Sequence, residues 1–505
     1  MVRYNIYRMD FQEYSADPNA YTKKIKTALK EWSTRRKTSV TKDIYDTTLK
    51  ELCVSDNYED ICKMYVSYLM KGESHKFTED LLQLHSFPTY SNVCIPLLHH
   101  WNSDITIEPL VMISHPDDVE RICQTHITKA PVFTKFLYNS LISTTDNDEW
   151  KQQRDEMNMA FIPSLSLKRV FPISMKQASQ CVFHLRELSS NGTRSVNMSE
   201  FFLYETLAQL QVSMFGFSEE FQNTTNSKIR QAFTGENIDY LNTYVPLALD
   251  KLQDAKGPLQ KYFGKMKDDL QDYGNLLIFT FAGHDTTGHT LTWLLYELCS
   301  HPEYQQTLIQ EIDTYWSNHE IPTYDSFKEL PFMTRCITEI LRLWPALANG
   351  TWRQLETDET IHDLNGKPIC VPKGTYCQIM NWSRHRNKEL WGDDVNVFNP
   401  YRKYEDSEIW AHEGFATYNV SSSRYSPFTY GPRNCIGKNF SHMEMRLILL
   451  YIFKNYTFSL TKEQAQAVKD DNFGGFNIFT MGPKSIYPNE VYGMQLNVIN
   501  RYSRL

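Results

Sequence analysis

The sequence predicts a mainly α-helical protein with a small β region, an α+β architecture, and three observations carry that reading. Residues 145 to 345 read as helix almost throughout, broken by SSNGTRS and TGEN. Strand-like runs lie on either side of that block, DITIEPLVMIS from 104 and GKPICVPKGTYCQIM from 366. With 505 residues, 41% of them hydrophobic, the chain is long enough to bury a large core.

Taken in order, residues 1–88 form a polar, basic extension, helical in pieces. Its cluster Lys23, Lys24, Lys26, Lys30, Arg35, Arg36 and Lys37 reads as a solvated helix face, with a membrane-surface or partner patch as the alternative. From about 92 strand-like text gives way to a helix opened by HPDDVERIC, where Pro116 stands in the first turn and acidic residues follow it. The long helical block comes next. Residues 350–380 return to runs bounded by glycine and proline, and residues 437–452, GKNFSHMEMRLILLYI, show a helical apolar pattern. No internal repeat or low-complexity tract interrupts the series.

Composition excludes some functions. A net charge of −8 argues against nucleic acid as the main partner. No apolar run reaches the roughly eighteen residues of a membrane span, and MVRYNIYRMDFQEYSAD does not read as a signal peptide. The expectation is a cytoplasmic or peripherally membrane-associated protein whose membrane contact is peripheral at most. Aromatic residues make up 13%, which suits a protein enclosing large apolar surfaces, although such cores are common without a ligand. Ten cysteines with no close C-x-x-C pair match neither a disulfide framework nor a zinc site, so free thiols in a reducing compartment are expected. Cys299 and Cys336, inside apolar helical patterns, read as small buried hydrophobes.

Cys435 differs from these. It lies in SPFTYGPRNCIGKNF, residues 426–440, where Gly431, Pro432 and Gly437 punctuate a tight loop that runs into a helix N-terminus. Backbone N–H groups and the helix dipole favour a thiolate there. A thiolate so placed serves as a nucleophile, a redox thiol or a metal ligand.

A second stretch, LLIFTFAGHDTTGHTLTWLLYEL, residues 276–298, is apolar enough to run through the core, yet its centre holds Gly283, Asp285, Thr286, Thr287 and Gly288. These are poor helix formers or costly to bury. Ala282 and Thr286 fall about 40° apart on one face, so a small side chain and a hydroxyl share a strip with Asp285 beside it. Bonding of the Thr286 hydroxyl to an upstream carbonyl would open a local bulge or kink. The alternative is a helix-packing groove. His284 and His289, about 140° apart, are badly placed for one ion and read as ordinary polar or core histidines. In TEILRLWP, residues 338–345, Glu339 and Arg342 share a helix face and can pair, and Pro345 ends the helix.

Together these stretches resemble the cytochromes P-450, the haem-thiolate monooxygenases, of eukaryotic type. FTYGPRNCIG is similar to the family's haem-binding loop F-x-x-G-x-R-x-C-x-G at Phe428, Gly431, Arg433, Cys435 and Gly437. AGHDTT resembles its central helix, and Glu339-x-x-Arg342 its core ion-pair motif. FNPYR looks like the segment that adds Arg402 to that network, and WKQQR like the helix whose Trp150 and Arg154 reach a haem propionate. The resemblance covers about 90 to 505 and implies a haem domain over residues 89–505 with a long central helix over the haem.

The resemblance further implies haem b with Cys435 as proximal thiolate ligand, a ligand that favours O–O cleavage. It implies that the glycines let backbone N–H groups approach the sulfur, that Phe428 shields it, and that Arg433 pairs with a propionate. Arg353 is a further propionate partner or, alternatively, an exposed strand arginine. Ala282 and Gly283 leave room for dioxygen, while Thr286 and Asp285 supply protons. Glu339, Arg342 and Arg402 are expected to form a buried network.

The implied reaction is insertion of one oxygen atom from O2 into an apolar small molecule. With no G-x-G-x-x-G unit in the chain, electrons would come from an NADPH-dependent reductase or a ferredoxin-type donor. The alternative is a haem binder, sensor or isomerase on the same fold; the buried acid and alcohol favour the oxygenase. Two departures from the family stand out. Only about sixty-five residues separate VNMSEFFLYETLAQLQVSMFG from AGHDTT, which predicts a shortened or rebuilt roof over the pocket, and EIWAHEGFATYNVSSSRY is inserted just before the haem loop.

Overall fold

The computed structural model describes residue 27 and residues 49–502, apart from 56, 101–104, 132, 235–236, 264–268, 411–420, 471–473, 478–479 and 489. The basic cluster between Lys23 and Lys37 and the middle of EIWAHEGFATYNVSSSRY lie outside the described residues.

Helices α1 (Tyr58–Lys71) and α2 (Phe77–Leu84) precede the first strands. α1 starts where the Asn57 side chain accepts the Asp60 amide and stops at Gly72, whose left-handed backbone turns its N–H back onto the last carbonyls. Ile61, Tyr65, Phe77, Leu81 and Leu82 are buried in one cluster with Val93, Ile95, Leu110 and Met112. These helices therefore share a core with a four-stranded sheet. That sheet has the order β1 (Val93–His100), β2 (Ile105–Ile113), β7 (Tyr376–Ile379), β4 (Thr351–Gln354), antiparallel except where β2 runs parallel to β7. β5 (Glu359–His362) and β6 (Pro368–Val371) form a separate hairpin.

α3 (Pro116–Thr125) has its proline at the first turn with Asp117 and Asp118 behind it, as HPDDVERIC predicts. α4 (Asn147–Asn158) is capped by Asp146, which accepts the amides of Asp148 and Glu149. α5 (Lys168–Leu188), α6 (Met198–Gln209), α7 (Glu219–Thr234) and α8 (Tyr240–Asp254) lead to the 32-residue central helix α9 (Asp269–Ser300). α10 (Pro302–Asn318) and α11 (Pro331–Leu343) follow, and α12 (Lys438–Asn455) comes after the cysteine loop. Near the C-terminus β8 (Tyr456–Leu460) and β11 (Gln495–Asn500) sandwich with β3 (Ser195–Asn197) in a second sheet, while β9 (Gly475–Asn477) pairs with β10 (Met481–Pro483).

The main core wraps α9, whose Leu276, Leu277, Leu291, Trp293, Leu294 and Leu298 are fully buried. The short segment before α9 is filled by two helices, α7 and α8, and the Phe233 ring of α7 lies 5.2 Å from Phe281 and 5.5 Å from His284 on the central helix. α9 is unbroken through Thr286. The expected bulge is absent there because the hydroxyl adds a bond to the Ala282 carbonyl, at 2.9 Å, without interrupting the helical ladder.

Candidate active site

The cysteine loop is fixed from both ends. Cys435 donates its amide to the Phe428 carbonyl at 2.8 Å, and α12 begins three residues later at Lys438. Gly431 has φ +75°, and a Cβ there would stand 2.3 Å from the Cys123 carbonyl oxygen of α3. This glycine is required by the close packing of the loop on α3, a different task from the approach to sulfur expected of it. A Cβ on Gly437 would meet the Cys435 Sγ only at 3.9 Å, an ordinary contact, so it is the backbone here that serves the sulfur. Burial raises the Cys435 thiol, and the backbone N–H groups of Gly437 and Lys438 together with the charges of Arg154 and Lys438 work in the opposite direction. Yet Cys435 is exposed.

Around that loop three cations crowd together. Arg353 on β4 lowers the basicity of Arg433 in the loop, and both lower that of Lys129 in the turn after α3. Burial and then Arg353 bring Arg433 down to about 9, burial lowers Arg353, and Lys129 is driven well below the usual lysine range by burial and by both arginines. Arg353 is fully buried, which removes its reading as an exposed strand arginine. Its Nη1 reaches the Thr351 hydroxyl and the Trp352 carbonyl, but its Nε and Nη2 have no hydrogen-bond partner. Arg433 likewise leaves Nε and Nη1 unpartnered, while its Nη2 reaches Asn147 Oδ1 at 3.2 Å. None of the three has an ion-pair partner among the described residues. Buried cations without an anion are costly. The arrangement fits a group carrying acidic arms.

Lys129 was not singled out in the sequence. It follows ICQTHIT and precedes a proline, with no local pattern to mark it. Its position comes from a distant contact: Glu356, just past β4, accepts the amides of Ile127 and Thr128 at 2.7 and 2.8 Å.

Trp150 and Arg154 sit on adjacent turns of α4. The Arg433 guanidinium lies 4.3 Å over the Trp150 ring, a cation–π contact that holds the arginine in place. Arg154 donates Nη1 to the Asn434 carbonyl and Nη2 to its side-chain oxygen, both at 2.7 Å. Two of its donors are thus committed to the cysteine loop itself. Phe428 is half-buried with its ring 5.2 Å from His442.

The loop and the central helix are tied together. Thr287 Oγ1 lies 3.3 Å from Ser441 Oγ of α12, and Phe161, the neighbour of Gly437, stacks with Phe279 of α9 at 5.9 Å. On α9, Ala282, Gly283 and Thr286 are half-buried. A Cβ on Gly283 would come within 2.8 Å of Leu210 Cδ1, so the room left by this glycine is taken up by that side chain. Leu210 opens a short π-helical turn, Leu210–Phe215, that continues α6.

Asp285 is fully engaged. It accepts from the Thr480 hydroxyl, lies 3.4 Å from Arg230 Nη1 and 3.6 Å from His289 Nε2. Burial raises its carboxyl, but the groups around it, Arg230 and the Thr480 hydroxyl among them, outweigh burial and hold it below the usual carboxylate range. Arg230 also bonds His284 Nε2 at 3.0 Å and reaches Glu200, whose side chain is 43% exposed, at 3.3 Å. His284 bonds the Thr280 carbonyl through Nδ1 and is lowered to about 3, so it stays neutral.

Glu339, Arg342 and Arg402 meet in one buried network. Arg342 grips Glu339 with two parallel bonds of 2.9 and 2.7 Å, and Arg402 Nε adds a third at 3.1 Å. Tyr404 donates to Glu339 at 2.5 Å, and Asp394 accepts Arg402 at 2.8 Å; neither was expected from sequence.

An exposed cysteine on a tight loop, buried arginines with unpartnered nitrogens near it and a central helix bearing an acid and an alcohol suit a protein that holds an anionic group. The comparisons say which. Residues 97–278 and 273–488 match the family model for Cytochrome P450, and the chain belongs to that family. It is similar to cytochrome P450 3A6 of Oryctolagus cuniculus, 25% identical over 416 residues covering 72% of this chain and 79% of that protein. Similar values hold for cytochrome P450 3A5 of Homo sapiens, 27% identical over 426 residues, 72% of this chain and 80% of that protein. Cytochrome P450 3A28 of Bos taurus is 26% identical over 431 residues, 74% of this chain and 82% of that protein. The chain is thus an oxidoreductase, a cytochrome P450 monooxygenase, and the family's cofactor is haem b held by a cysteine thiolate. Among the described residues no helix is long and apolar enough to cross a membrane.

Proposed function

We propose that this chain inserts one oxygen atom of O2 into an apolar small molecule, drawing electrons from a separate NADPH-dependent reductase or a ferredoxin-type donor. The observation that carries the reading is the pair Arg353 and Arg433, buried with unpartnered nitrogens and no counter-anion among the described residues, with the half-buried Lys129 beside them and Cys435 in the same loop as Arg433.

In this reading Cys435 would hold the haem iron through its sulfur, and the Gly437 and Lys438 amides and the Arg154 charge would favour the thiolate form. The three cations would hold the carboxylate arms of the haem, with Trp150 supporting Arg433 and Glu356 setting the turn that carries Lys129. Arg154 positions the loop through Asn434. When bound, haem b supplies the oxygen-activating chemistry of the family. The protein supplies protons. Thr286 presents its hydroxyl on the half-buried strip with Ala282, and Asp285 links inward from Glu200 through Arg230, a polar chain from surface to helix centre.

The test is Thr286→Ala assayed with a reductase. Product formation should fall and electron consumption should uncouple from it, because the proton-delivering hydroxyl is gone. Unchanged turnover together with unchanged coupling would overturn the oxygenase assignment.

A further inference from the structure

Away from the cysteine loop, the N-terminus of α3 and the strand β5 bring His115, Asp118 and His362 together, with one donor atom from each lying within 4.8 Å of the other two. We infer that these residues form a binding site for one divalent transition ion of the zinc class.

The chemistry of the set supports this. Two imidazoles and a carboxylate leave one position of a tetrahedral ion for water. The His115 and His362 rings stack at 3.9 Å with 21° between their planes, which places ring nitrogens side by side. His115 Nδ1 is buried and has no hydrogen-bond partner. His362 Nδ1 lies 3.0 and 3.1 Å from the two Asp118 oxygens, so a single proton bridges imidazole and carboxylate, and the ion takes the place of that proton. At metal–ligand distances of about 2.0–2.2 Å, donors around a tetrahedral ion sit roughly 3.3 Å apart. Side-chain rotation of the half-buried histidines is enough to draw in a donor set already this close.

The surroundings hold the carboxylate and favour a cation. Asp118 is fully buried and oriented by Asn92 Nδ2 at 2.5 Å and by the His362 amide at 2.9 Å. The one cation bonded to it, Arg121, is itself paired with Glu359 at 2.9 Å. His115 borders a surface groove of about 360 Å³ that Asp117, Glu389 and Glu405 also line, and its one arginine, Arg424, is paired with Glu408. The groove beside His115 therefore offers an approaching cation an acidic rim. Once bound, it would pin the β5–β6 hairpin to α3, the helix on which the cysteine loop packs through Gly431.

The experiment uses the full chain with haem bound, stripped of other metals by a weak chelator and titrated with Zn2+ by calorimetry. Zinc per haem is counted after desalting, and the ligands are read by X-ray absorption at the zinc edge. One zinc per haem should bind with micromolar or tighter affinity, with imidazole scattering at the edge. His115→Ala and His362→Ala should each weaken binding by about tenfold or more. His319→Ala, whose ring pairs with Glu329 elsewhere on the surface, should not. His115 Nδ1 makes no hydrogen bond, so His115→Ala decides the matter if His362→Ala fails to fold. Absence of saturable zinc binding, or binding that survives His115→Ala unchanged, overturns the site.

Discussion

Arg402 donates its Nε to Glu339 Oε1 at 3.1 Å, joining residues 63 positions apart in a pocket where the Glu339 side chain is wholly buried. Removing Glu339 would leave the buried Arg342 guanidinium without a carboxylate, while Arg402 keeps Asp394, at a cost of about 3–5 kcal/mol. Glu339→Ala should therefore yield little folded haem protein. Tyr404→Phe, which removes one hydrogen bond to the same carboxylate, should fold with a penalty of about 1.5–3 kcal/mol. Soluble yield and haem content per chain check both; normal haem content in Glu339→Ala would show that the network is dispensable.

The unpaired cations predict effects of opposite sign in the empty and loaded protein. Arg353→Leu removes a buried charge that has two cationic neighbours and unpartnered nitrogens. Apoprotein stability should be unchanged or higher, because a buried ion is replaced by an apolar group. Haem retention should fall. Melting temperature without haem and the rate of haem transfer to apomyoglobin measure the two separately, and a loss of both together would mean that Arg353 only props up the fold.

Leu210 and Gly283 should behave as a coupled pair. Leu210→Ala alone is expected to cost about 2–5 kcal/mol as a buried leucine truncation. In a Gly283→Ala background the same truncation should cost less, by about 1 kcal/mol or more, since the new methyl occupies space that Leu210 vacates. Urea denaturation of the four proteins of the cycle reads the coupling, and strict additivity would place the two residues out of contact.

Glu297, on the central helix, gives a pH signature. Burial raises its carboxyl to about 7 against the hydrogen bond from the Trp344 indole, which is 2.8 Å long. The folded chain thus keeps a proton there that the unfolded chain releases near pH 4.5. The resulting stability is full below that point and is lost as pH rises to about 7. Relative to wild type, Glu297→Gln should gain of the order of 3 kcal/mol in unfolding free energy between mildly acidic and mildly alkaline solution. Urea midpoints across that range test it; a parallel pair of profiles would refute it.

What could be read in advance followed from whether a residue's reason for being there is local. Cys435 stood out because glycine, proline and the start of a helix surround it within a few positions. The pair Glu339 and Arg342 was visible because a helix sets two side chains on one face at that spacing. Lys129, Tyr404 and Asp394 gave no such signal, since each acquires its part only through strands and loops brought in from elsewhere in the chain. Gly431 and Gly283 also face contacts that the sequence does not show: one lies against the Cys123 carbonyl, the other against Leu210, and neither contact is written near the glycine. The bond from the Thr286 hydroxyl to the carbonyl four residues back formed as its side chain suggested, yet it opened no bulge in the helix.

The central claim is that the Cys435 sulfur binds haem iron, and the reduced, carbon-monoxide-bound spectrum of Cys435→Ala beside wild type tests it most directly. Wild type should show the strongly red-shifted Soret band of a thiolate-ligated iron, and the variant should lose that band or its haem altogether. A variant that keeps both its haem and the wild-type band would contradict the account.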